Sequence, residues 1–142
     1  MLLPLTCPPD GDDALREFRF DLFPPAVPQI VATVRHLLRD ALRAVGLGSD
    51  TGCVLLSELL TNALVHGGVP TVLLELRAGV LHVAVADSSG AAPTVQPGTT
   101  TRTSGRGLFL VEQLADEWGV EEIGSYGKTV WACTTALTAT AA

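Results

Sequence analysis

Between Leu55 and Gly68 the chain reads L-L-S-E-L-L-T-N-A-L-V-H-G-G, an apolar helical run with a polar triplet set into it. At about 100° of turn per residue, Leu56, Leu59, Leu60 and Ala63 share one face, and Glu58, Asn62 and His66 recur at every fourth position along its edge. That edge is expected to line a site. One turn apart, a carboxylate can accept a proton while a carboxamide offers its oxygen to a hard cation such as Mg²⁺. A solvated stripe on an amphipathic helix would have the same spacing, so the downstream motifs decide between the two.

A chain of 142 residues with 47% apolar side chains is long enough to bury one core and too short for two. Its net charge is -6, carried against eight arginines and a single lysine, Lys128. No basic stripe tracks a phosphate backbone, which excludes nucleic acid as a direct partner. Cys7, Cys53 and Cys133 lie far apart with no C-x-x-C spacing, so they read as free, buried thiols of a reducing compartment. The N-terminal M-L-L-P-L-T-C lacks a basic leader and a long apolar run. No stretch approaches the ~20 apolar residues of a membrane span. A cytoplasmic protein without membrane contact is the expectation.

Residues 1–14, rich in proline and aspartate, are expected to form a loose arm before a domain at 15–135, with an Ala/Thr-rich tail at 136–142. E-F-R-F-D-L-F alternates as a half-buried strand beginning near Arg16. Pro28 suits the first turn of a helix, and from Ile30 to Val45 apolar residues step by three and four until Gly46 and Gly48 close the helix. Ser49 or Asp50 can cap the next one. Two strands come next, T-V-L-L-E-L-R and V-L-H-V-A-V-A-D, joined by a tight hairpin at Ala78 and Gly79. G-V-E-E-I and K-T-V-W-A-C-T read as two closing strands.

Period-two alternation puts Asp87 on the face of Leu81, Val83 and Val85, aimed at the core. A charge there costs several kcal/mol, on the order of 3 to 5, unless a donor meets it. A strand-end turn aspartate would also fit the position, but a ligand offering an N–H would satisfy it better. The small, polar residues 88–104 have the length of a functional lid. Then G-R-G-L, Gly105 to Leu108, opens a helix that runs to Trp118, and its glycines allow a phosphate to approach exposed amides. In the last strand Thr129 alternates with Trp131 and Cys133, so it would supply a hydroxyl beside Asp87 if those strands are neighbours.

The order E-x-x-x-N helix, strand ending in Asp, mobile loop, G-x-G-L and late G-K-T-V-W resembles the Bergerat-fold (GHKL) ATPases over residues 16–134. Its small size, the Arg of G-R-G-L and the late G-K-T-V-W most resemble the anti-sigma-factor serine kinase branch. The resemblance implies a two-layer α/β sandwich: a mixed, mainly antiparallel sheet with about three helices on one face and an ATP lid. It implies that Glu58 is the base for the attacking hydroxyl and that Asn62 holds Mg²⁺. Asp87 would accept from the adenine amino group with Thr129 alongside. Gly105, Arg106, Gly107 and Leu108 would offer amides to the phosphates, and His66 would lie near the nucleotide. One departure stands out. The family's D-x-G-x-G box is here D-S-S-G-A, so Ser89 and Ala91 replace glycines while Gly90 takes the middle place. A side chain forced to positive φ would cost about 1–2 kcal/mol, roughly tenfold in nucleotide affinity.

Two functions are implied by that resemblance. One is an ATP- and Mg²⁺-dependent serine kinase that phosphorylates a STAS-domain antagonist and sequesters a sigma factor, regulating transcription. The other is a non-catalytic, partner-binding module with weak or vestigial nucleotide binding. Relatives often dimerise, and the exposed faces of Phe18 to Phe23 are the candidate contact. A sensor histidine kinase is disfavoured, because no long helical hairpin precedes the domain and His36 lies inside it.

Overall fold

The chain's structure is a computed structural model that describes residues 16–88, 103–122 and 127–138, the side chains of 103–107 excepted. Its elements are β1 (Phe18–Leu22), α1 (Ile30–Ala44), α2 (Asp50–Val65), β2 (Thr71–Arg77), β3 (Val80–Asp87), α3 (Thr103–Leu114), β4 (Glu117–Glu122) and β5 (Lys128–Thr134). The strands form one sheet in the order β1-β2-β3-β5-β4. Each pairing among these strands is antiparallel. The helices form the second layer, giving the expected two-layer α/β sandwich.

The core is where alternation and helical periodicity meet. From α1 come Val34, Leu38 and Leu42, spaced by four; from α2 come Leu55, Leu56, Leu59, Leu60 and Ala63. They pack on the inward residues Val72, Leu74, Leu76, Leu81, Val83, Val85, Val130 and Ala132 of the sheet. Ala78 and Gly79 take positive φ, 52° and 75°, the two left-handed positions that a two-residue hairpin matched to strand twist requires. Ser49 precedes α2 and its carbonyl accepts from Cys53 N–H, but its side chain makes no cap bond.

Several boundaries differ from the sequence expectation. Pro28 lies in the turn before α1, not in its first turn. Helix α3 starts two residues before Gly105 and stops at Leu114, so Glu117 and Trp118 belong to a strand. Asp116 fixes that switch, its carboxylate accepting from the backbone N–H and hydroxyl of Thr135 at 2.7 and 2.8 Å. The packed chain also continues past 135. Leu137 leans on the core and the Thr138 carbonyl accepts from Gly48 N–H. Phe18 and Phe20 face the core, which leaves Phe23, 80% exposed, as the outward aromatic of that stretch. Residues 1–14, with Cys7, lie outside the described residues; Cys133 is buried and Cys53 half-buried, both free thiols. Among the described residues no helix is long and apolar enough to cross a membrane.

The sheet's other face carries a polar row in register, Arg19–Glu75–His82–Cys133–Glu117. His82 is 6% exposed. Its burial holds the imidazole below its ordinary value of 6.5, against the opposing pull of the Glu75 and Glu117 carboxylates. The unfolded chain therefore takes up this proton at higher pH than the folded one. Stability from His82 is complete above about 6.5 and is lost as pH falls through the folded value. We expect the melting temperature to drop between pH 7.5 and 5.5, and His82→Gln to flatten that slope. Equal slopes in the two proteins would refute the assignment.

Candidate functional site

Two contacts fix how α2 lies on the sheet. Near its start a side chain at Gly52 would come within 2.6 Å of Leu81 Cδ2, so glycine lets the helix press onto the beginning of β3. Beyond its end, Val69 N–H donates to Ser88 Oγ at 3.3 Å, just after β3 ends. Helix and strand thus run the same way. From Gly52 to His66 the axis rises about 21 Å, and from Leu81 to Asp87 the strand advances about 20 Å. His66 is therefore level with Asp87, Asn62 about one helical turn behind and Glu58 about two turns behind. The structure brings the polar edge of α2 to the carboxylate end of the central strand.

Asn62 is 3% exposed, and both its Oδ1 and its Nδ2 are buried without a hydrogen-bond partner. His66, capping α2, likewise has a buried, unpartnered Nε2. Unpaired buried polar atoms cost about 1–3 kcal/mol each, so two such side chains one turn apart make this helix edge the candidate site. Glu58 is half-buried. Among the described residues no cluster of three or more His, Cys, Asp or Glu could hold a metal by itself. A cation at Asn62 would have to share its shell with phosphate oxygens, which is how Mg²⁺ is commonly held. The donor set fits that ion.

Asp87 points to the core side as expected, but its neighbour is not the expected one. Across the ladder Asp87 faces Lys128, and Ala86 faces Thr129. Residues opposite each other share a face, so Thr129 lies on the sheet side away from the helices and cannot stand beside Asp87. There it lines a cavity of about 250 Å³ with Arg19, Asp21, Thr71 and Ala86. What meets Asp87 is the Lys128 ammonium, Nζ 3.2 Å from Oδ2, with both side chains 1% exposed. Gly127 completes the contact: a β-carbon there would run into the Asp87 carbonyl oxygen.

The residues expected to face phosphate are placed less simply. With α3 starting at Thr103, its four free amides are those of residues 103–106. Gly105 and Arg106 are among them. Gly107 and Leu108 fall where the helix uses its own N–H groups, and Leu108 is a core side chain, 1% exposed. Gly90 and the loop 89–102 lie outside the described residues.

An antiparallel sheet under three helices, with an E-x-x-x-N edge delivered to a buried aspartate at the end of the central strand, defines a two-layer α/β domain with a candidate polar site at one end of its central strand. The profile of the histidine kinase-like ATPase domain matches residues 24–134, and the chain belongs to that family. Its fold is similar to the crystal structure of the RsbU and RsbW domains of Rv1364c from Mycobacterium tuberculosis, with a TM-score of 0.63 and 21% identity over 88% of this chain. The match takes in 35% of that structure's chain, so this chain spans about a third of it. Among curated proteins none matches the sequence.

Proposed function

We propose that this chain binds ATP with Mg²⁺ and transfers the γ-phosphate to a serine of a STAS-domain antagonist, and that it sequesters a sigma factor in the cytoplasm. The observation that carries the reading is Asn62. A buried carboxamide with both polar atoms unpartnered, one turn from a half-buried glutamate, would offer its oxygen to the Mg²⁺ of a bound nucleotide within an ATPase-family fold. In such a site Glu58 accepts the proton of the incoming serine hydroxyl, His66 and Asp87 border the nucleotide, and the α3 amides of Gly105 and Arg106 meet its phosphates. The work is positioning and charge neutralisation. That the fold neighbour carries an RsbW domain beside an RsbU domain supports regulatory protein partners. A second reading, a partner-binding module with weak nucleotide binding, is favoured by one observation, the ammonium already seated at Asp87.

Labelled ATP, Mg²⁺ and a cognate STAS protein test the kinase directly. Transfer is expected from the wild type, and Glu58→Gln should lower it by about a hundredfold or more, the usual worth of a general base, with ATP binding retained. Binding without any transfer to a verified partner would leave the second reading.

A further inference from the structure

Lys128 is the chain's single lysine, against eight arginines. It is also among the largest fully buried side chains of the described structure. Lysine is almost never fully buried unless paired, and this one is paired to a carboxylate that is equally buried. A compact ammonium on a flexible stem can turn back to its cross-strand neighbour, where a planar guanidinium needs a wider, forked opening. The position is tightly specified as well, because Gly127, immediately before Lys128, lets the β5 backbone close against the Asp87 carbonyl.

We propose that Lys128 is a specificity-determining residue: its ammonium is a resident donor that competes with a nucleobase amino group for Asp87. The inference rests on the nucleotide-binding reading above and deepens it. A neutral N–H donor arriving at Asp87 meets a carboxylate already engaged by a cation, whose full charge attracts a buried carboxylate more strongly than the partial charge of an N–H does. The base amino group therefore adds little affinity, and binding is carried by the phosphates and the cation at Asn62. The chain should accept purine triphosphates with little regard for the group at the 6-position.

Titration calorimetry of the wild type with Mg·ATP and with Mg·ITP, which lacks the 6-amino group, tests this. The expected dissociation constants agree within about threefold. In Lys128→Met the competing ammonium is gone. ATP should then bind about tenfold tighter than to the wild type, and ATP should be preferred over ITP by about tenfold, the worth of one hydrogen bond to a charged acceptor. A wild type that already prefers ATP by tenfold or more overturns the inference even if Lys128→Met does not fold, and leaves nucleotide binding standing. Unchanged ATP affinity in a folded Lys128→Met does the same. No heat with either nucleotide, in wild type and variant alike, overturns the nucleotide reading and this inference with it.

Discussion

Asp87→Ala is expected to cost about 3–5 kcal/mol of folding stability, the loss seen when one partner of a buried ion pair is removed and the other charge stays buried. The size reflects burial: the two side chains are each 1% exposed, so solvent screens neither. Lys128→Met takes the ammonium from the carboxylate instead and should fall in the same range. The double replacement Asp87→Leu with Lys128→Met removes both charges, and such substitutions are often neutral or stabilising. Urea unfolding of the wild type, Asp87→Leu, Lys128→Met and the double variant gives the cycle. The double variant should recover most of what either single change loses, which is strong coupling between the sites. Additive losses would show that the two residues act through separate surroundings and that the pair is not the reason for their burial.

The same pair shows how far sequence reading reaches. Strands β2, β3 and β5 have the bounds that their apolar runs and the Ala78–Gly79 turn predict, although each has buried residues on both of its faces. The α3–β4 boundary escapes that logic because Asp116, Glu117 and Trp118 continue a helix-compatible pattern. What ends the helix is a tertiary bond from Asp116 to Thr135, 19 residues away. Likewise Leu137 sits in an Ala/Thr-rich stretch whose composition suggests a tail, yet it packs on the core.

For the site, the polar edge of α2 and the inward aim of Asp87 are legible from local periodicity alone. Thr129 is not, for a specific reason. In β5 the series Thr129, Trp131, Cys133 and the series Lys128, Val130, Ala132, Thr134 are both largely apolar or small, and a lone strand does not say which is inside. Pairing with β3 decides it, since Asp87 meets Lys128 in register. Matching the single lysine to the core-facing aspartate of β3 would give the correct parity. Ion pairing is a long-range signal, and nothing in the local pattern of either strand carries it.

Asn62→Ala should separate stability from binding with opposite signs. The side chain is buried with both polar atoms unpartnered, so its removal relieves a desolvation cost of about 1–3 kcal/mol. Alanine also has the better helix propensity, by about 0.5 kcal/mol. Against this stands a small cavity, which leaves a net gain of about 1–2 kcal/mol and a rise of roughly 3–8 °C in Tm for a domain of this size. With Mg·ATP at about a hundred times its dissociation constant, the wild type should gain about 2.7 kcal/mol, and the variant should gain none. The order of stability therefore inverts: the variant melts higher without nucleotide, the wild type higher with it. Differential scanning fluorimetry with and without Mg·ATP reads both effects. If Asn62→Ala melts lower without nucleotide, the carboxamide is a structural group and not a cation ligand. If both proteins gain equally from ATP, the cation is held elsewhere. An inversion would mean that stability is sacrificed at this one helix position to keep a ligand group in place, which is the physical sense in which α2 is a functional helix and not only a core one.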